Sequence, residues 1–357
     1  MVMRWKNLSA PPDEGHPERA APAAPPLPLA LPGAVARTFD TPGFAGMTFY
    51  EVRAKSIINR VPGTSRVPFE WTINPYRGCS HACVYCFARN THTYLDLDAG
   101  ADFDRKVIVK VNAGELVRRE LAAPRWRGAP VAMGTNVDCY QRAEGRYQLM
   151  PSIIEALRDF ANPFSILTKG TLILRDLPLL RQAAEVTRVS LSFSVGFVDE
   201  ALWRSVEPGT PSPRRRLDAV RALSDAGFPV GVLMAPILPG LGDTDESIEA
   251  TVAAIAAAGA TSVTPLVLHL RPGAREWYAH WLTRAHPRLV PRYRELYRAG
   301  AYAPQAYQRE LTARVRMAAR RHGLHRAERG DDHRPPQPAG PSRTPTPPAA
   351  AEQLLLL

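Results

Sequence analysis

The chain carries the sequence NPYRGCSHACVYCFAR at residues 74–89, which brings three of its cysteines close together, Cys79, Cys83 and Cys86. Three residues separate the first two and two separate the last two, and the only other cysteine of the 357-residue chain is Cys139. Thiolates at such short separations converge on one centre if the backbone curls around it, and soft sulfur favours iron–sulfur clusters, zinc or cuprous copper. A 4Fe–4S cluster normally takes four cysteines. The spacing therefore predicts a metal cluster that lacks one protein ligand, with one iron open to a reactive molecule.

From about residue 69 onward, short apolar runs alternate with longer helical patterns. This alternation is typical of a parallel sheet wrapped by helices. Six runs are predicted as strands, at 69–73, 130–133, 164–167, 189–195, 230–235 and 263–268. Because a closed barrel of this type needs eight units, six units indicate an open one. We therefore predict an α/β fold, a partial (β/α)6 barrel of the TIM type followed by C-terminal helices.

Local signals mark some of the elements between these strands. Asn112 and Glu115 have the spacing of a capping box ahead of a helix. Pro151 stands at the start of a second helix, and Ser212 occupies the N-cap position of a third. The run KVIVKVN at 106–112 alternates with period two and is predicted as an accessory edge strand.

Composition indicates where the folded part begins and ends. Many of the 35 prolines fall in 11–33 and 331–348, where Pro, Ala and charged residues lack hydrophobic periodicity. Such segments cannot bury enough surface to offset the entropy of ordering. The predicted organisation is a mostly disordered tail at 1–45, a lead-in segment at 46–68, a core domain at 69–285, a basic helical extension at 286–326 and a disordered tail at 327–357.

Basic residues exceed acidic ones and give the chain a net charge of +11. This excess favours contact with nucleic acid, because Lys and Arg neutralise phosphates and release counterions; a solvated basic surface is the alternative. The run Arg214, Arg215 and Arg216 near a helix start is expected to be exposed. Much of the excess lies in the predicted C-terminal helix, at Arg309, Arg314, Arg316, Arg320, Arg321 and Arg326.

The sequence also bears on the compartment. No stretch of eighteen apolar residues occurs, and Pro28 and Pro32 interrupt the apolar residues between Leu27 and Val35. We therefore expect neither a membrane span nor a signal-peptide core. Thiolates held ready for a metal belong in a reducing compartment, so the cytoplasm is the expected location.

Polar and glycine residues follow the predicted strands, at the carboxyl ends where the reactive face of such barrels lies. They include Gly134, Thr135, Asn136 and Asp138 after the second strand, Lys169 after the third, and Ser192 and Ser194 in the fourth. Glycine lets a ligand approach the backbone, and Asn136 or Asp138 could accept from an ammonium group. The Lys169 ammonium would suit a carboxylate. The alternatives are an ordinary turn with a helix cap and a surface lysine.

The cysteine spacing, with the aromatic Tyr85 just before the last cysteine, resembles the signature of the radical S-adenosylmethionine (SAM) enzymes. The surrounding sequences GTNVDCYQ, ILTKGTLILRD and APILPG resemble more narrowly a bacterial, actinobacterial-type subgroup related to spore photoproduct lyase, a DNA repair photolyase. The resemblance extends from about Trp71 to about Gly323. It implies a 4Fe–4S cluster whose open iron chelates SAM and cleaves it to a 5'-deoxyadenosyl radical that abstracts hydrogen.

The resemblance also implies roles for individual residues. Gly134, Thr135, Asn136 and Asp138 take the place of the motif that receives the amino group of SAM, and Tyr85 belongs to the same SAM-binding set. Lys169 would hold the carboxylate of SAM, assisted by Ser192 or Ser194. Glu207 and Pro208 resemble family usage after the fourth strand, where a ribose contact and simple capping are both open.

Cys139 is a candidate catalytic residue, because spore photoproduct lyase returns a hydrogen atom to its product from a cysteine near this strand. However, Cys139 follows Asp138, whereas the cysteine of that enzyme precedes the shared aspartate. An inert thiol is the alternative. Cys139 or His81 could instead complete a zinc site with the three clustered cysteines, although structural zinc sites usually present two ligand pairs.

The sequence thus predicts a cytoplasmic radical SAM enzyme that receives electrons from a flavodoxin or a ferredoxin. Nucleic acid, including damaged DNA, is the first substrate hypothesis. A small molecule or peptide is the second. A non-catalytic zinc or iron–sulfur module is an alternative of another class.

Overall fold

The computed structural model describes residues 8–9, 31, 33–62 and 67–324 of the 357-residue chain. The strands are β1 (Leu8–Ser9), β2 (Val35–Arg37), β3 (Thr48–Ala54), β4 (Ile58–Arg60), β5 (Trp71–Ile73), β6 (Tyr76–Arg77), β7 (Lys106–Lys110), β8 (Val131–Met133), β9 (Phe164–Thr168), β10 (Val189–Ser194), β11 (Val230–Ile237) and β12 (Ser262–Val267). The α-helices are α1 (Ala101–Arg105), α2 (Ala113–Leu121), α3 (Arg142–Tyr147), α4 (Leu149–Asp159), α5 (Leu177–Val186), α6 (Glu200–Val206), α7 (Pro213–Asp225), α8 (Asp245–Ala257), α9 (Ala274–Ala285), α10 (Val290–Leu296) and α11 (Gln305–Arg321). Short 3-10 helices cover Pro42–Phe44, Phe87–Leu95, Thr171–Asp176 and Pro287–Leu289.

The larger sheet of the described residues has seven strands in the order β12-β11-β10-β9-β8-β5-β4. All neighbours in it are parallel except β4, which lies antiparallel to β5 at one edge. Its six parallel strands are the six predicted from the sequence, with ends that differ by at most two residues. Helices alternate with these strands along the chain. The predicted α/β fold is therefore confirmed.

A lateral row of apolar side chains crosses five neighbouring strands of this sheet. The register pairs Ile73 with Met133, Met133 with Ile166, Ile166 with Leu191 and Leu191 with Val230. Each of these five side chains is at most 2% exposed. Burial of an apolar side chain of this size contributes about 1.5–3 kcal/mol, so the row stabilises this register. All the strands that it joins consequently end at the same edge of the sheet.

The run at 106–112 forms β7, but its place differs from the prediction. β7 pairs with β3 on one side and β6 on the other, so it lies inside a second sheet. The predicted edge position is wrong, because β7 is hydrogen-bonded to a neighbouring strand on each side, and its three central side chains are buried. Asn112 precedes α2 without capping it, because its side-chain amide exchanges two 2.9 Å hydrogen bonds with the backbone of Ala54. The predicted capping box is therefore absent from this helix.

Part of the predicted tail at 1–45 is structured. β2 pairs antiparallel with β3, and Phe39 and Phe44 each pack on Phe49 with ring centroids 5.3 Å apart. Residues 33–45 therefore pack with the second sheet. Most of the Pro-rich stretch at 11–33 and all of the predicted tail at 327–357 lie outside the described residues.

The C-terminal segment packs against the larger sheet through α11. Arg314 of this helix donates to Asp245 at 2.7 Å, and Arg321 pairs with Glu249, so α11 lies along α8. Two arginines of the predicted basic helix are thereby paired with acidic side chains. Among the described residues, no helix is both long and apolar enough to cross a membrane.

Candidate active site

The cysteine loop follows β6 and lies at the carboxyl ends of the parallel strands. Cys79, Cys83 and Cys86 line a cavity of about 190 Å³. Residues at the ends of five strands, from β8 to β12, line the same cavity, among them Lys169 and Ser194. The cysteines and the strand ends therefore meet at one place, as the order of the elements along the chain predicts.

Two fully buried polar side chains hold the cysteine loop in shape. Gln141 accepts from the backbone NH of Ser80 and donates to the carbonyl of Gly78, both at 2.9 Å. Arg89 donates to the carbonyl of Cys83 at 2.9 Å and to the carboxylate of Asp104 at 2.8 Å. The loop backbone is thus held on both sides of its first two cysteines. The roles of Gln141 and Arg89 were not predicted, although each residue lies within a motif that carries the family resemblance.

The donor set suits the implied cluster. Burial, with the Glu207 carboxylate, raises the pKa of the Cys83 thiol to about 12, so a thiolate there needs a cationic partner. No three His, Cys, Asp or Glu side chains of the described residues are grouped closely enough to hold a metal ion. A 4Fe–4S cluster does not need such a grouping, because each thiolate binds a different iron. Three cysteines around one cavity therefore fit a cluster with one open iron.

Beside the cysteines, Tyr85, Lys169 and Ser194 line the cavity, and Glu207 and Arg216 lie behind them in contact with Tyr85 and Ser194. We call these five residues the buried wall. The Lys169 Nζ donates to Ser194 Oγ at 2.7 Å. It also lies 3.9 Å from Glu207 Oε1 and 5.8 Å from the centroid of the Tyr85 ring. The ammonium of Lys169 therefore projects to the cavity from the end of β9, as predicted.

Glu207, for which the sequence left a ribose contact and capping open, pairs instead with Arg216, and this pairing was not predicted. Both side chains are at most 1% exposed, and the Glu207 carboxylate accepts from the Tyr85 hydroxyl and the Arg216 guanidinium. Arg216 also donates to the carbonyl of Ser194 at 2.9 Å. Burial acts to raise the pKa of Glu207, but Arg216 and Lys169 outweigh it and hold this pKa below its usual value. The carboxylate thus stays ionised and positions two SAM-binding candidates.

Arg216 corrects the prediction that the run 214–216 is exposed. Arg214 and Arg215 are exposed, but Arg216 is buried. It shares a face of α7 with the buried Ala219, Val220 and Leu223, three, four and seven residues further on. This spacing, which is that of one face of a helix, was the signal in the sequence that Arg216 is buried.

All five residues of the GTNVD segment line the cavity, but some of them also have packing roles. Gly134 has a φ of +74°, and a Cβ there would lie 1.8 Å from the carbonyl oxygen of Leu167. A glycine is therefore required here by the close approach of two strand ends, and the ligand approach predicted for Gly134 stays a prediction. Thr135 and Asn136 are half-buried and line the cavity. They are the residues of this segment that retain polar side chains for a ligand.

Asp138 lines the cavity, but its carboxylate has protein partners. Oδ1 accepts from Thr168 Oγ1 at 2.6 Å, Oδ2 accepts from the Lys169 NH at 2.6 Å, and His81 Nδ1 lies 3.4 Å from Oδ2. Burial acts to raise the pKa of Asp138, but His81 and these donors lower it to about 2. Asp138 therefore joins β8 to β9, in contrast to its predicted role as acceptor for an ammonium. His81, considered above as a possible fourth zinc ligand, is buried against it.

The structure does not bring Ser192 and Cys139 to the cavity. Ser192 lies two residues before Ser194 on β10, where it pairs with Gly231. It is not among the described residues that line the cavity. Cys139 is 0% exposed and is likewise absent from the described lining. Of the two serines considered, Ser194 is the one beside Lys169. The position of Cys139 agrees with the inert-thiol alternative.

Comparison with known proteins agrees with this arrangement. The profile of the Radical SAM superfamily matches residues 73–255. An uncharacterized protein of Mycobacterium tuberculosis is 50% identical over 313 residues, covering 87% of this chain and 91% of its own. An uncharacterized protein of Methanocaldococcus jannaschii is 28% identical over 203 residues, covering 56% of this chain and 72% of its own.

Solved structures share the fold at low identity. A spore photoproduct lyase variant superposes with a TM-score of 0.57 at 17% identity, covering 76% of this chain and 78% of its own. Another variant, with bound AdoMet and dinucleoside spore photoproduct, has a TM-score of 0.54 at 18% identity, covering 73% and 78%. The profile match includes the cysteine loop and the whole buried wall. The chain therefore belongs to the radical SAM superfamily, whose cofactors are a 4Fe–4S cluster and S-adenosylmethionine.

Proposed function

We propose that this protein cleaves SAM reductively and abstracts hydrogen from a nucleic-acid substrate, acting in the cytoplasm with electrons from a flavodoxin or ferredoxin. One observation carries the proposal: the three cysteines and the Lys169–Ser194 pair line the same cavity. When bound, the cluster and SAM supply the 5'-deoxyadenosyl radical. The protein supplies binding, orientation and the exclusion of competing reactions.

The residues of the cavity divide the binding of SAM among them. Cys79, Cys83 and Cys86 would hold the 4Fe–4S cluster and leave one of its irons open to SAM. The Lys169 ammonium adds a positive charge for the carboxylate, within 2.7 Å of the Ser194 hydroxyl. Thr135 and Asn136, which follow β8, offer further hydrogen bonds to SAM. Glu207 and Arg216 act as positioning residues, because they hold the Tyr85 hydroxyl and the Ser194 carbonyl.

Two observations support a nucleic-acid substrate. The chain has a net charge of +11, which favours phosphate contacts. A lyase of the same fold has been solved with a dinucleoside spore photoproduct. The C-terminal helix adds less than its composition indicates, because Arg314 and Arg321 are paired with acidic side chains.

The test is anaerobic reconstitution of the full chain with iron and sulfide, followed by reduction with dithionite in the presence of SAM. We expect 5'-deoxyadenosine to form, and deuterium to enter it from a deuterated oligonucleotide. The Lys169→Met variant should keep its iron and lose SAM affinity, because it removes the charge without exposing the cluster. Zinc in place of iron, with no 5'-deoxyadenosine, would overturn the enzyme proposal. Deuterium arriving only from small molecules or peptides would overturn the nucleic-acid substrate alone.

A further inference from the structure

Three aromatic rings stand side by side at the cavity, and we call them the ring row: Phe87, His269 and Tyr302. The centroids of Phe87 and His269 are 5.6 Å apart with planes inclined by 37°. The centroids of His269 and Tyr302 are also 5.6 Å apart, with planes inclined by 23°. Phe87 and His269 line the cavity of the cysteines. The row therefore leads from the cavity to the surface.

The two outer rings of the row are exposed. Phe87 is 36% exposed and Tyr302 is 51% exposed. His269 between them is half-buried, and burial, with the nearby Arg271, lowers the pKa of its imidazole. Neutral aromatic faces next to a reactive cavity leave apolar surface in water, and such surface marks a site of binding when it is contiguous.

Arg271 places a positive charge on this surface. Its guanidinium carbon lies 5.7 Å from the centroid of the Phe87 ring, and its Nη2 donates to the Tyr302 hydroxyl at 3.2 Å. Arg271 is itself exposed. An exposed guanidinium beside stacked rings combines a contact for phosphate with faces for planar groups.

The backbone fixes the position of the row. Phe87 directly follows Cys86, while His269 follows β12 and forms a β-bridge with Tyr302. The NH of Leu270 donates to the carbonyl of Ala301 at 2.8 Å and reinforces this bridge. The ring row therefore connects the cysteine loop with the segment before α11. Its first ring, Phe87, is the residue after the predicted cluster ligand Cys86.

We propose that the ring row binds an unpaired nucleobase of the substrate by stacking, while Arg271 contacts the adjacent phosphate. This inference rests on the proposed function, and it narrows the substrate to single-stranded nucleic acid or to a base extruded from a duplex. In a duplex, the neighbouring base pairs cover both faces of every nucleobase, so a base that stays paired cannot stack on the ring row. The charge of Arg271 and the faces of the ring row together suit a nucleotide, which has a phosphate and a planar base, better than they suit an uncharged small molecule.

The experiment measures binding of the reconstituted full chain, with SAM present, to a fluorescent single-stranded DNA oligonucleotide and to its duplex. Tyr302→Leu and Arg271→Gln should each weaken single-strand binding about tenfold, as expected for loss of a stacking or phosphate contact. Tyr302→Phe should restore most of the affinity, because it keeps the ring. The duplex should bind more weakly than the single strand to the unchanged protein.

Matched variants control for unspecific effects. Phe160→Leu removes a ring that is 40% exposed at the end of α4, and Arg181→Gln removes an exposed charge on α5. Both should leave the affinity for the single strand unchanged. Equal losses in these controls, equal binding of Tyr302→Leu and the unchanged protein, or tighter binding of the duplex would each overturn the inference.

The proposed function can fail separately. If the unchanged protein forms no 5'-deoxyadenosine, the function proposal fails whatever binds to the ring row. If it forms 5'-deoxyadenosine but binds no single-stranded DNA or RNA, the ring-row inference fails while SAM cleavage stands.

Discussion

The buried wall and the ring row border the same cavity but are built in opposite ways. In the wall, each buried polar side chain has a partner, and the Glu207–Arg216 pair is almost fully buried. In the row, the rings of Phe87 and Tyr302 are partly exposed to solvent, and the neighbouring Arg271 is exposed. The wall lies entirely within the residues that match the superfamily profile, whereas His269, Arg271 and Tyr302 lie beyond residue 255. Under the proposed function, the wall would serve the binding of SAM, which the superfamily shares, and the row would serve the choice of substrate.

The largest expected effect comes from the cysteine loop. Cys83→Ala should lower SAM cleavage to the level of the iron-free protein, because two thiolates cannot hold a cluster that already lacks one cysteine. Iron content, the absorption spectrum and 5'-deoxyadenosine formation measure this effect. Cys139→Ala is the matched control, since it removes a buried thiol that does not line the cavity, and it should retain iron. Equal loss of iron in both variants would contradict the assignment of the ligands.

The wall should be sensitive to the loss of a single charge. Arg216→Met leaves the Glu207 carboxylate buried without its main partner, and breaking such a pair costs about 3–5 kcal/mol of unfolding free energy. Arg215→Met is the control, because Arg215 is exposed on the same helix and should cost less than about 0.5 kcal/mol. Urea denaturation of both variants measures the difference. Similar costs for the two would show that Arg216 is not part of a tightly coupled wall.

The same contrast explains what could be predicted from the sequence. The six parallel strands were predictable, because apolar runs of strand length alternate with helical patterns. The cysteine loop and Lys169 were predictable as strand-end residues because the carboxyl ends of parallel strands share one face. In each case the local pattern along the chain contains the required information.

Other parts depend on contacts that the local pattern does not contain. Gly134 is required by the carbonyl of Leu167 on the neighbouring strand. The partners of Asp138 come from two other segments of the chain. The ring row joins residues that are 182 and 33 positions apart in sequence, 87 to 269 and 269 to 302. Such pairs become visible only when the chain is folded.

The smallest effect is expected at Cys139, which belongs to neither region. Burial, with the carboxylates of Asp138 and Glu144, raises the pKa of its thiol well above the usual value. Hydrogen transfer to a product requires contact, and the thiol does not line the cavity of the cysteines. Cys139→Ala should therefore leave the ratio of product to 5'-deoxyadenosine unchanged and cost about 1 kcal/mol of stability through lost packing. Product analysis by mass spectrometry measures this ratio. A marked fall in product at constant 5'-deoxyadenosine would mean that the thiol reaches the substrate during turnover, and the cavity would then have to open toward β8.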